Sequence, residues 1–220
     1  MPDNDTDQSK PEGGGDDMTA ALLEEPTGLD DSRVTDPTVY AGALGDDPDT
    51  EISVAADVEA TLLTALMWTD QHSARRILAA VEARHFYRPV HATIAAAIAE
   101  VAAAGNDPTP ILVRARLSET GALRGGSGQL VMSALVTLTA PLDRPITTTA
   151  GMLPLAVHLL DAWYRRGYTG LLRRMEQHRL EASVEELGDC WAQLTRFQQR
   201  AEADWMARRQ TLTRDRAEED

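Results

Sequence analysis

The chain has 220 residues, 43% hydrophobic but only 5% aromatic, with 35 acidic and 21 basic side chains for a net charge of −14. That length allows one or two domains, with a core that must rest largely on Leu and Ala. The acidity is uneven: residues 1–50 hold 14 acids and 2 bases, the other 170 hold 21 and 19, and so near-neutral a body is not expected to bind nucleic acid strongly, because that needs a Lys/Arg cluster to displace counterions.

Residues 1–50 read as a disordered acidic leader. Strings such as Gly13-Gly14-Gly15-Asp16-Asp17 and Gly45-Asp46-Asp47-Pro48-Asp49 cannot bury enough apolar surface to offset chain entropy. Met18 to Leu23 is a short apolar island within it. The acidic start at Met1-Pro2-Asp3 does not read as a secretory signal. The apolar run Ala92–Ala104 contains Glu100 and is too short to span a bilayer. A cytoplasmic chain with no membrane contact is the expectation.

From residue 51 the periodicity turns helical. Val58, Leu62, Ala65 and Leu66 recur at three and four residues, which places them on one helical face. Thr69-Asp70 punctuates, and Ile77, Leu78 and Val81 mark a second short helix. Pro89 suits the first turn of a third helix, striped by Val90, Ile94, Ala97, Ile98 and Val101 and stopped at Gly105. Thr109-Pro110 opens a fourth, with Leu112, Val113 and Leu117 inward and Gly121 at its end. A fifth begins near Ser127 and runs through Leu130, Ala134, Leu135 and Leu138, and Pro141 and Pro145 bound an irregular connection.

Two longer helices follow. Leu153, Val157, Leu160, Tyr164, Tyr168, Leu171 and Met175 form the stripe of the first. The second opens with the capping-box pattern Ser183-Val184-Glu185-Glu186 and continues through Leu187, Trp191, Leu194, Ala201 and Trp205. A short link near Arg179–Ala182 makes them an antiparallel hairpin. The fold expected is all-α: a compact head of about five or six helices over 51–150, a helical hairpin over 151–210 and a charged tail over 211–220.

Catalytic chemistry is hard to find. Gly121 to Gly126 has the spacing of the first half of a Walker A loop, but Ser127 stands where Lys would contact phosphate and no strand precedes it. A turn between helices is expected there. The five histidines form neither HExxH nor a paired Cys/His set, so no metal site is expected. His85 and His91, which flank Phe86-Tyr87-Arg88-Pro89, read as structural. Cys190, the single cysteine, reads as a buried thiol. No nucleophile motif is found, and neither enzymatic activity nor a cofactor is expected. Arg165-Arg166 and Arg173-Arg174 read first as a solvated face, and second as a contact for an acidic partner or a nucleic-acid backbone. The aromatic stripe Trp163, Tyr164, Trp191, Phe197 and Trp205 reads first as hairpin packing.

The order of these segments resembles the N-terminal domain of bacterial replicative DNA helicases of the DnaB family. The opening helix of that family is matched by Glu59-Ala60-Thr61-Leu62-Leu63-Thr64-Ala65-Leu66-Met67, and its most specific string by Phe86-Tyr87-Arg88-Pro89-Val90-His91. Leu117 to Leu123, with Gly121 between, Gly125-Gly126 and Leu130 look like the segment that follows. Leu171 to Met175 and Val184 to Leu187 resemble the family's helical hairpin. The likeness spans roughly 55–205. Gln129 replaces a usual aromatic, and Ala140 to Pro145 replaces a small-residue loop. No RecA-like motor, and hence no helicase activity, is carried over.

The resemblance implies self-association through paired hairpins and binding of replication proteins, a helicase or primase among them. Two helices cannot cover so long an apolar seam alone, which points to Leu160, Tyr164, Arg165, Leu171, Leu187, Trp191 and Leu194 as partner-binding residues. The other readings are a structural or regulatory helical oligomer unrelated to replication, and a small enzyme whose site is invisible to motifs.

Overall fold

The computed structural model describes residues 49–140 and 146–217, with side chains for 57–140 and 146–214. The expected disorder of residues 1–48, the Pro141–Pro145 connection and the last residues of the tail lie outside this range, while Asp49 and Thr50, read as the end of the leader, are helical. Seven α-helices and one 3-10 turn make up the described chain, with no strand among the described residues: α1 (Asp49–Met67), α2 (Gln71–Leu78), a 3-10 turn (Ala83–His85), α3 (Pro89–Ala103), α4 (Pro110–Glu119), α5 (Gly125–Leu138), α6 (Thr149–Glu181) and α7 (Leu187–Ala217). The all-α class expected from periodicity is what forms.

Local chemistry sets most boundaries. The Asp70 carboxylate accepts the Ser73 N–H at 2.9 Å and starts α2. Those hydrogen bonds to Ser73 hold its pKa below the usual carboxylate value. Pro89 and Pro110 fill the first turns of α3 and α4, where a missing N–H costs nothing. Gly105, at φ 88°, ends α3. Its N–H bonds Ala102 O and the Asn106 N–H bonds Val101 O, the paired closure of a left-handed C-terminal cap.

The core draws on every helix. Leu62, Leu63 and Leu66 of α1 meet Ile77, Ile94, Ile98, Leu117 and Leu135 of the head and Met152, Leu159 and Leu160 of α6. Thr64 Oγ1 donates to Leu138 O at 3.0 Å and Thr69 Oγ1 to Thr147 O at 2.9 Å. These bonds tie the end of α1 to the end of α5 and the approach to α6. The chain expected as a charged tail from 211 continues instead as helix to Ala217, and Leu212 returns to the head core. No local signal in the sequence announces that contact.

Three inward assignments change. Leu112 is 40% exposed and Leu130 64% exposed. α4 and α5 each present only a narrow stripe to the core, through Val113 and Leu117, and through Val131, Leu135 and Leu138. Tyr168 also faces out, because the inner face of α6 passes through Trp163, Gly167 and Gly170. α5 begins at Gly125, two residues before Ser127.

Candidate interaction surface

The residues of the most specific sequence string close the fold from within. Glu59 is fully buried on α1. Its carboxylate accepts the Tyr87 N–H, the Arg88 N–H at 3.4 Å and His91 Nδ1 at 2.8 Å. Tyr87 and Arg88 supply backbone donors at the start of α3, where the helix leaves its first N–H groups unpaired. The carboxylate thus fastens α1 to α3 at one point, and His91, equally buried, is held inside. Structural roles for His85 and His91 are what the geometry provides.

A second set of contacts joins the hairpin to the head along residues 80–87. Arg166 Nη2 donates to His85 O at 2.7 Å, and its guanidinium lies 5.4 Å from the Tyr87 ring centre. Burial pulls the Arg166 pKa down, partly opposed by the Glu59 charge. The His85 ring meets Trp163 edge-on at 4.8 Å, and its Nδ1 accepts the Glu82 N–H at 2.9 Å. Burial, followed by the nearby Arg208, Arg84 and Arg166 charges, lowers the His85 pKa to about 3, so the ring is neutral. From α7, Arg208 donates to Ala80 O at 2.9 Å and pairs with Glu82 and Asp204, and Asp204 in turn meets Arg84 at 3.1 Å. Arg165-Arg166 is therefore not one solvated strip, since Arg165 is exposed and Arg166 is a strut. Nothing in the sequence marks Arg208. An arginine three residues after Trp163 on an apolar stripe was the one available hint of Arg166.

The seven residues expected to bind partners separate along the hairpin. Leu160 and Leu194 are buried within the chain. Tyr164 stacks on Trp205 at 4.9 Å and 15°, and its hydroxyl accepts from Gln198 at 3.2 Å. Trp205 Nε1 donates to Asp161 at 2.9 Å. These contacts close the basal half of the hairpin. Leu171 and Leu187 are half-buried, Arg165 is exposed, and Trp191 is 56% exposed. Sequence reasoning missed Leu172, Leu180 and the outward turn of Tyr168, all exposed on α6, and Val184 at the tip, 82% exposed. The link at the tip is held by Glu186, whose carboxylate accepts the Ser183 N–H at 2.9 Å and the Ser183 hydroxyl at 2.7 Å. Only half of the expected capping box forms, since the Ser183 side chain bonds the carboxylate. Cys190 is half-buried.

The glycine loop is a turn. Gly121 and Gly125 have φ of 77° and 68°, and a Cβ on Gly128 would stand 2.2 Å from the Leu123 carbonyl carbon. Backbone fills the space above this first turn of α5. Among the described residues no group of three or more His, Cys, Asp or Glu side chains could hold a metal ion.

Residues 52–150 match the family model described as the DnaB-like helicase N-terminal domain. The match begins in α1, holds Glu59, His91 and the glycine turn, and stops at the start of α6. Over this stretch the chain is similar to the DnaB-like helicase N-terminal domain. No curated protein and no solved structure matches the chain.

Within this DnaB-like domain, the Glu and His of the matched strings are explained by their contact with each other, so they identify the fold and do not form an exposed site. The long hairpin lies almost wholly outside the matched residues. Its base is pinned to the DnaB-like domain by Arg166 and Arg208, and its distal half projects with Tyr168, Leu172, Leu180, Val184 and Trp191 exposed. Among the described residues no helix is long and apolar enough to cross a membrane.

Proposed function

We propose that this protein acts in the cytoplasm as a non-catalytic interaction module of DNA replication. It self-associates through the distal half of the hairpin and serves a replicative helicase or primase as adaptor or regulator. The observation that carries this reading is the contrast between the two halves of one hairpin. The base is closed by Tyr164, Trp205, Leu160 and Leu212. The distal half leaves Tyr168, Leu172, Leu180, Val184 and Trp191 in water, and each such side chain contributes about 1.5–3 kcal/mol when it is buried. A second copy laid antiparallel on this stretch would cover these residues together, with Leu171 and Leu187 beneath them and Arg165 at the rim. Leu160, Tyr164 and Leu194 then act from inside, by keeping the two helices in register.

The test is sedimentation velocity of wild type and Trp191→Asp across a concentration series, with circular dichroism to verify folding. Affinity capture with purified replicative helicase and primase runs alongside. Wild type should associate and capture one of the two proteins. Trp191→Asp should remain folded and monomeric, because a charge placed in an apolar contact outweighs a weak dimer energy. A wild type that stays monomeric at high concentration, with capture unchanged in the variant, overturns the reading. Association without capture of either protein would favour a helical oligomer outside replication.

A further inference from the structure

Among the described residues, four buried side-chain nitrogens find no hydrogen-bond partner in the protein: Arg84 Nε, His85 Nε2, Trp163 Nε1 and Arg166 Nε. All four belong to one place, the junction of the 3-10 turn with α6. Trp163 and Arg166 stand three residues apart on α6, as neighbours on one helical face. The His85 ring meets Trp163 at 4.8 Å, the Arg84 guanidinium lies 5.8 Å from the Trp163 ring centre, and Arg166 donates to His85 O at 2.7 Å. His85 and Trp163 are 0% and 1% exposed.

Every one of the four is a donor. Indole and guanidinium nitrogens carry hydrogen and accept nothing. His85 Nδ1 accepts the Glu82 N–H at 2.9 Å, so the neutral ring carries its proton on Nε2. Arg84 Nε lies 2.9 Å from Glu82 Oε2 but without the alignment of a hydrogen bond. The edge-on packing of His85 against Trp163, at 73° between planes, lets one of those two N–H groups face the other ring, and not both. Three donors remain, and no buried side-chain acceptor among the described residues is left over to meet them. Charge points the same way. Arg84 and Arg208 share Glu82 and Asp204. Arg166 is met instead by the His85 carbonyl and the Tyr87 ring, with the Glu59 charge acting through space. A half-buried guanidinium compensated in this way favours a further negative charge. Water accepts through two lone pairs and brings two hydrogens that need acceptors of their own, whereas a monatomic anion needs donors alone.

We propose that this junction is a binding site for one monatomic anion, chloride in solution, held by the N–H groups of Arg166, Trp163 and His85 beneath Arg84. The donors come from two elements that meet only in the folded chain, so the ion fastens the base of α6 to the 3-10 turn. The donor atoms are closed off from solvent, which leaves no room for a macromolecule or a phosphate. Arg84, whose side chain is 29% exposed, is the flexible cover that moves to admit the ion. The site depends neither on self-association nor on a replication partner.

The experiment titrates chloride into the full chain while gluconate holds the ionic strength at about 0.2 M, so that screening stays fixed. The readout is the side-chain N–H signals of His85 and of Trp163, the latter assigned by its loss in Trp163→Phe. Both should shift saturably with chloride and with bromide, while the indole signals of Trp68, Trp191 and Trp205 stay in place. The melting temperature should rise along the same curve, since an ion bound only by the folded chain stabilises it. Trp163→Phe keeps an aromatic ring and removes the N–H. Read from the His85 signal, it should raise the half-saturating chloride concentration about tenfold, as the loss of one hydrogen bond to a charged acceptor implies. The wild-type titration decides the question even where that variant fails to fold: no saturable shift at His85 and Trp163 overturns the proposal. Chloride-independent magnetisation transfer from water to both N–H groups makes the occupant a resident water and overturns it too. Equal shifts at all four indoles mark weak surface binding of the ion only, and count against the site as well.

Discussion

His91 Nδ1 lies 2.8 Å from Glu59 Oε2 in the interior of the DnaB-like domain, so two residues 32 positions apart in sequence form one buried fastener between α1 and α3. The same carboxylate accepts the Tyr87 and Arg88 N–H groups. Glu59→Ala leaves the buried His91 ring and two part-buried backbone donors without their acceptor and should destabilise the protein by about 3–5 kcal/mol, since breaking a buried network costs more than the pair itself contributes. Urea unfolding followed by circular dichroism measures it. Stability within about 0.5 kcal/mol of wild type would remove the fastener from the account.

Arg165 and Arg166 are neighbours with opposite duties. Arg166→Gln removes a half-buried charged donor from His85 O and should cost roughly 1.5–3 kcal/mol. Arg165→Gln, at an exposed position, should change stability by less than about 0.5 kcal/mol. Thermal melts of the two variants under one buffer decide between this asymmetry and a uniformly solvated strip.

The glycine turn makes a second paired prediction. A Cβ on Gly128 meets Leu123 backbone at 2.2 Å, while a Cβ on Gly126 meets nothing within 4 Å. Gly128→Ala should cost about 3 kcal/mol or abolish folding, as backbone cannot yield the way a flexible side chain does. Gly126→Ala should gain roughly 0.5–1 kcal/mol through helix propensity and a less flexible unfolded chain. Equal effects at the two sites would be inconsistent with the packing of α5 on the turn.

Folding should weaken in mild acid through His85. Its folded pKa, about 3, lies below the ordinary 6.5, so the unfolded chain binds the proton more readily. The stabilisation is fully present above pH 6.5 and is lost progressively as pH falls from 6.5 toward 3. Denaturation midpoints of wild type should drop between pH 7 and pH 4, and His85→Gln should flatten that slope while lowering stability at pH 7. A variant slope as steep as wild type would assign the acid sensitivity to other groups.

Along the hairpin, charge insertion should distinguish interior from surface. Leu194→Asp places a carboxylate at a buried position and should cost about 3–5 kcal/mol. Leu172→Asp, at an exposed one, should leave the melting temperature nearly unchanged. Melting curves at equal protein concentration give the comparison, and similar losses at both would mean that Leu172 packs within the chain.

Much of this protein was legible in its sequence because helix signals are local. Periodicity at three and four residues located the helices, Pro89 and Pro110 marked two starts, and Gly105 and Gly121 marked two stops, since each acts through its own backbone geometry. The string from Phe86 to His91 pointed to the family. What that string does was decided only in three dimensions, where Glu59 arrives from another helix to bind it. The same holds for the surface. An apolar stripe states that a residue can be buried, and tertiary packing selects which part of the stripe has a neighbour. Leu160 and Leu194 found one inside the chain, Trp191 and Tyr168 did not, and Leu112 and Leu130 lost theirs because α4 and α5 offer the core only a narrow face. Arg208 carries no local signal and Arg166 only its spacing from Trp163: their roles exist because the hairpin base folds back on residues 80–87, where backbone carbonyls need donors.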